Sequence, residues 1–182
     1  MDSVKNDLKE FMLMDIIETD SLIICHLSEG DSEFILELLN SPGWLKFIGN
    51  KNVKTKTDAA NYIINGPLKS YAVNGFGLYL VKLKNINTPV GICGLIKRDS
   101  LEDIDIGFAL LPEYEGNGYA FESAEAVLKH AKKDLGIKKI VAITDKDNVN
   151  SIRLLEKAGL TFEKNILLKE DDKELMLFSA LL

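Results

Sequence analysis

"LPEYEGNGYAFESAEAVLKHA", residues 111–131, sets two glycines, Gly116 and Gly118, directly ahead of a run whose apolar residues recur at helical spacing. Ala120, Ala124, Val127, Leu128 and Ala131 share one face, which predicts a helix from about Ala120 to Asp134, closed by Gly136. A helix N-terminus carries unpaired N–H groups and a partial positive charge. Glycines ahead of it let those amides approach an anion with no side chain in between. A phosphate or pyrophosphate is the ligand favoured. Three readings stand open on the turn alone. It is an anion cradle, or a tight turn that needs glycine for positive φ and binds nothing, or the first turn of a dinucleotide fold with Asp145 ending the next strand. Against the third, Phe121 stands where that fingerprint needs its last glycine, and "PEYE" separates strand from turn.

Outward from the turn, "DIDIGFAL" (103–110) alternates, with Ile104, Ile106, Phe108 and Leu110 on one face and Asp103, Asp105, Gly107 and Ala109 on the other. It reads as a strand feeding the turn. Upstream, "SLIICHL" (21–27) is a first strand, and residues 1 to about 15 form an extension ahead of it. Asp31 is placed to cap a helix carrying Phe34, Ile35, Leu38 and Leu39 on one face, with Pro42-Gly43 ending it. A second helix follows Thr57 and stops near Asn65-Gly66-Pro67. "GLYLVKL" from Gly77 and "PVGICGLI" from Pro89 flank the turn-like "KNINT" and read as a hairpin. Downstream come the strand "KKIVAIT", the helix "SIRLLEKA" ended by Gly159, and the strand "LMLFSALL". This order implies an α/β (α+β) fold with a mixed central β-sheet and flanking helices in a single domain over residues 16–182.

Composition narrows the function classes. At 182 residues, 46% hydrophobic and 27% charged, the chain is large enough for a real core. A net charge of −6 argues against a duplex-binding partner, whose affinity would come from cations on phosphates. Cys25 and Cys93 lie in apolar strand-like runs and read as small buried hydrophobes. His26 and His130 stand apart from each other and from any cysteine cluster, so no metal site is expected. No apolar run approaches a membrane span and the N-terminus is too polar for a signal peptide, which makes the cytoplasm the expected location. The run "KEDDKE" (169–174) reads as a solvated hairpin tip.

A second stretch, "DNVNSIRLLEKAGLTFE" (147–163), bears on the turn. Together with "IDIGFALLPEYEGNGYAFES" (104–123) it closely resembles the GNAT acetyltransferase superfamily, in the branch that contains the ribosomal-protein N-terminal acetyltransferases. The resemblance runs from "ETDSLII" (18–24) to the final strand, and it rests on two motifs in order at the family's separation. It implies the GNAT fold, a V-shaped mixed sheet with acetyl-CoA held between two splayed parallel strands. The family segment of Arg or Gln, two residues, Gly, one residue, then Gly or Ala aligns with Glu115 to Ala120. By that resemblance the backbone of Asn117, Gly118, Tyr119, Ala120, Phe121 and Glu122 contacts the CoA pyrophosphate. The main chain of Phe108, Ala109 and Leu110 pairs with the pantetheine arm. Asn148 and Ser151 match the residues near the thiol end. Asn148 or Asn150 also has a local role open to it, as the cap of the helix that begins around Ser151.

The activity implied is acetyl transfer from acetyl-CoA to a primary amine, a protein N-terminal α-amine or a small-molecule amine, by direct attack in a ternary complex. Such enzymes are often homodimers. A carboxylate is the natural base for a protonated amine, and Asp105 matches the acidic residue that the family often carries on this strand, with Asp103 on the same face. The resemblance also shows departures. Glu115 puts an acid where a basic or neutral side chain is usual. Leu155 occupies the place of the tyrosine that serves some members as general acid, which leaves Ser151 as the substitute. A strand N–H around Leu110 would hold the carbonyl oxygen. Trp44 falls where the family builds its acceptor wall, although an aromatic after Pro-Gly is also ordinary packing. These departures keep a second expectation alive, a non-catalytic acyl-CoA-binding module on the same fold.

Overall fold

A computed structural model describes residues 15–168 and 173–182. The N-terminal extension, and all of "KEDDKE" but Lys173 and Glu174, lie outside the described residues. Eight strands form one sheet in the order β1-β2-β3-β4-β5-β6-β8-β7. They are β1 (Asp15–Glu18), β2 (Leu22–His26), β3 (Leu78–Leu83), β4 (Thr88–Ile96), β5 (Ile104–Leu110), β6 (Lys139–Thr144), β7 (Thr161–Leu167) and β8 (Glu174–Leu181). Every neighbouring pair is antiparallel except β5 and β6. The mixed order excludes a doubly wound dinucleotide fold, whose parallel strands need helical crossovers. Asp145, the acid that reading would place on a ribose, is ion-paired with Lys173 instead.

The sheet is buried on both faces. One face packs Leu22, Ile24, Tyr79, Val81, Cys93, Leu95 and Ile106 under α5 (Tyr119–Lys133) and α6 (Val149–Lys157). The other packs Cys25, Leu27, Leu80 and Ile92 under α1 (Ser32–Leu39), α2 (Pro42–Phe47) and α3 (Lys56–Ile63). On α5 the buried stripe is Ser123, Ala124, Val127, Leu128 and Ala131. Ala120, expected in it, is half-buried at the rim. Gly136, at φ 66°, accommodates the expected stop.

Three local expectations are corrected. Asp31 does not cap α1 with its side chain; its carboxylate accepts hydrogen bonds from the Ser28 amide and hydroxyl, closing the turn before the helix. Pro42-Gly43 opens α2, with Ser41 as N-cap and proline at the first helical position, where its missing N–H costs nothing. Asn65-Gly66-Pro67 does not stop the second helix. The chain passes through a wider π turn over Ile64–Leu68 and continues as α4 (Lys69–Asn74). Burial of Pro67 holds this irregular turn, and the Tyr71 hydroxyl beyond it accepts from the Leu27 amide and donates to the Leu78 carbonyl. His26 and His130 are also less separate than their positions suggest, because the Tyr79 ring lies 5.8 Å from one and 6.3 Å from the other. Among the described residues no group of His, Cys, Asp or Glu is arranged to hold a metal ion, and no helix is long and apolar enough to cross a membrane.

Close approach of backbones fixes the middle of the sheet. A Cβ at Gly94 would meet the Gly77 carbonyl oxygen and come within 2.7 Å of the Leu78 Cα, neither of which can rotate away. Gly94→Ala should therefore destabilise the fold by about 1–3 kcal/mol in urea denaturation. A midpoint equal to wild type would show that β3 and β4 do not meet so closely there.

Candidate active site

The site begins where two strands stop pairing. The parallel ladder of β5 and β6 consists of Ile104 with Ile140 and Asp105 with Val141, after which the strands diverge. Each is held to its line by its outer neighbour, β5 by β4 from Asp105 to Leu110 and β6 by β8 from Lys139 to Thr144. The gap therefore cannot close by bending either strand. It opens a cavity of about 1290 Å³ that passes between the two helical layers. The Leu111 N–H donates to the Val90 carbonyl, so alternation along β5 directs Ala109 toward β4 and the N–H and C=O of Phe108 and Leu110 into the gap. Of the three residues expected to offer main chain to a ligand, Phe108 and Leu110 face the gap and Ala109 is turned to β4.

The glycine turn stands at one end of this gap. Gly116 and Gly118 adopt φ of 78° and 86°, the left-handed region that penalises a side chain, and Gly118 is the residue from which α5 starts. The Glu122 N–H donates to the Gly118 carbonyl at 3.0 Å, the first bond of the helix. Tyr119, Ala120 and Phe121 precede that bond and leave their N–H groups without helical partners. The amide of Glu122, also expected to contact the ligand, is the one engaged in this helical bond. Its carboxylate is engaged as well, accepting from the Thr19 hydroxyl at 2.6 Å and the Ser21 amide at 2.8 Å. This draws a negative charge off the helix mouth and ties it to the β1–β2 turn. Glu115 is exposed, with Oε1 3.7 Å from where a Gly43 Cβ would stand at the start of α2. The Asn117 side-chain Nδ2 donates to the Tyr114 and Glu115 carbonyls and braces the turn from within.

At the point where the strands part lies Asp105. Its side chain is 2% exposed, Oδ2 accepts from Arg98 Nε at 2.7 Å, and Oδ1 makes no hydrogen bond of ordinary geometry among the described residues. Burial pushes the carboxyl up to about 6, against the opposing pull of the Arg98 guanidinium and, more weakly, the Ile143 amide. Asp103, its expected companion, is ion-paired with Lys139 at 2.8 Å. Arg98 and Tyr62 are the members of the site that sequence reasoning missed. Arg98 reaches Asp105 from just beyond β4, where the register of Ile96 with Asp105 brings the two together across the hairpin. Tyr62, on α3, is raised in pKa by burial and held back by Arg98. No spacing rule marks either residue, because their meeting depends on the β4–β5 register and on α3 packing.

On the far wall, the Asn148 side chain accepts from the Ser151 amide at 3.2 Å as the N-cap of α6, so the local role open to it is filled. Asn148 and Ser151 both line the cavity, as do Asp105, Phe108, Ala109, Leu110, Gly118, Ala120 and Phe121. Leu155 is fully buried below them, which leaves no phenol at the place of the absent tyrosine. Asp145 holds the Asp147 amide at 2.8 Å and the Lys173 ammonium, and Lys173 leads in lowering its pKa. Trp44 is on the opposite wall, with α2 and α4.

A family model described as the acetyltransferase (GNAT) domain matches residues 21–161. The chain is 27% identical over 157 residues to the uncharacterized N-acetyltransferase YoaA of Bacillus subtilis, spanning 85% of this chain and 86% of that protein. Among solved structures, a GNAT-family acetyltransferase from Bacillus anthracis superposes with a TM-score of 0.76 at 24% identity, over 91% of this chain and 97% of that one. The ribosomal L7/L12 α-N-protein acetyltransferase RimL, solved with coenzyme A, superposes with a TM-score of 0.78 at 16% identity, over 91% and 97%. With the splayed strands and glycine turn in place and more than half of the sequence matching the family, the chain belongs to the GNAT acetyltransferases.

Proposed function

We propose that this protein transfers the acetyl group of acetyl-CoA to a primary amine by direct attack in a ternary complex. One observation carries the reading. A single gap runs from the unpartnered amides at the head of α5, past the outward main chain of Phe108 and Leu110, to a buried carboxylate at its base. An extended ligand with an anionic end and amide groups along its length suits such a track. The coenzyme supplies the activated thioester.

The chain's own residues then divide the work. Amides of Asn117 through Phe121 hold the pyrophosphate, while Phe108 and Leu110 pair with the arm. The Leu110 N–H takes the thioester oxygen as charge develops on it. The amine nitrogen attacks the carbonyl carbon and the C–S bond breaks. Asp105, reached through a water because its carboxylate is sealed, takes the proton the amine loses. Ser151 gives one to the departing thiolate and recovers it from solvent. Glu115 is borne because the cradle is made of backbone, and its repulsion weakens as salt rises.

The acceptor is a protein N-terminal amine or a small amine. The RimL likeness supports the first, and the open cavity takes either. Two further parts belong to the proposal, a cytoplasmic location and a homodimer; the resemblance underlies the second, which is open to sedimentation.

Three outcomes test the assignment. Calorimetric titration should find acetyl-CoA binding to wild type and not to Gly118→Trp, whose side chain fills the turn. Equal binding would move the coenzyme elsewhere. Asp105→Asn should lower kcat by about two orders of magnitude with acetyl-CoA affinity unchanged. An unchanged rate removes the base, and coenzyme binding with no thiol release from any amine leaves the non-catalytic module. The base acts when ionised, so kcat should rise with pH through about 6 and level off above it. Arg98→Met withdraws a charge that holds Asp105 down, so this limb should move to higher pH; a limb that stays in place assigns the titration to another group.

A further inference from the structure

Resting on that function, we propose that the acceptor is an amine carrying a carboxylate or phosphate close to its nitrogen, and that Arg98 is the residue that reads this anion. With the coenzyme on the glycine turn and along β5, the acceptor enters the half of the cavity walled by α2, α4 and the end of β4.

Arg98 is built to face that half. Its Nε is fixed to buried Asp105, and the two Nη groups carry no further hydrogen bond or ion pair among the described residues. An arginine held by one edge presents the other as a fork whose spacing fits a carboxylate or phosphate. The buried aspartate sets the direction of the fork, since its own side chain is packed on all sides.

Trp44 adds a second donor. It lines the same half at 5% exposure, and its indole N–H has no acceptor among the described residues. A buried donor left unpaired costs about 1–3 kcal/mol, a cost that an oxygen of the ligand would relieve.

The charge of the rim agrees. Lys46, Lys51, Lys69 and Lys97 line this half, although the chain as a whole carries −6. Of the acids lining the cavity, Asp105 is bound to Arg98, Asp145 to Lys173, and Glu115 stands at the glycine turn. Phe47, Ile48 and Val73 supply an apolar wall between the lysines, which fits an acceptor with a hydrophobic side chain beside its anion.

Trp44 is the sole tryptophan, so its fluorescence reports on this half without turnover. CoA-saturated protein would be titrated with leucine and isoamylamine, which differ by a carboxylate alone. A second pair, the peptide amides Ser-Asp-Ala and Ser-Ala-Ala, differs by an acidic side chain. The anionic member of at least one pair should bind about tenfold more tightly. Preference for leucine identifies a free amino-acid-type acceptor, and preference for the acidic peptide identifies an N-terminus beside an acid. In Arg98→Met the preference should vanish while acetyl-CoA affinity holds. Arg98→Lys, which keeps the charge without the fork, should fall between. Equal binding within both pairs, including no binding by any member, overturns the inference, as does a loss in Arg98→Met that is the same for both members. Failure of the acetyltransferase reading would appear separately, as absence of acetyl-CoA binding or thiol release.

Discussion

The separation of β5 from β6 after Asp105 and Val141 is the constraint on which the rest depends. Each strand keeps its outer partner along its length, so the sheet gives up hydrogen bonds only on the two inner edges. Unpaired main-chain groups in a buried setting are costly, and the cost falls away when an extended ligand supplies the missing partners. On the proposed reading the vacant edge is a binding device built from backbone, in which the register of Phe108 and Leu110 matters more than their side-chain identity.

That register is set away from the gap. Between β3 and β4 the pairing passes from Val81 with Gly91 to Lys82 with Pro89, so Val90 is an extra residue. The bulge turns Val90 to the α5 side while Ile92 packs on the other face. Its carbonyl receives the Leu111 N–H, which fixes the residues of β5 that look into the cavity. Glycines at 91 and 94 permit the close contacts on either side. Charge is managed in the same spirit: Glu122 is drawn aside by Thr19 and Ser21, and Asp145 is paired with Lys173, so neither acid is left without a partner.

What was legible in the sequence was local. The alternation of 104–110, the glycine turn, α5 and α6 with their caps, and the 84–88 turn all depend on neighbours a few residues away. β7 was invisible because Thr161–Asn165 are exposed and bury no face, so no period-two pattern is imposed on them. β1 is four residues long and carries too little pattern to stand out. The passage through Pro67 was unreadable because burial and the Tyr71 hydrogen bonds override the usual break. The resemblance supplied the cofactor residues, yet it could not show that Ala109 faces β4 or that Glu122 is engaged. The Arg98–Asp105 pair needed the folded hairpin.

Amide hydrogen exchange read at single residues, with and without saturating acetyl-CoA, tests the central claim most directly. If the vacant edge of β5 receives the coenzyme, the N–H groups of Phe108 and Leu110 become protected on binding while that of Ala109, already turned to β4, changes little. Unchanged exchange at Phe108 and Leu110 in the bound protein would contradict the account, because the gap would then not be where the coenzyme lies.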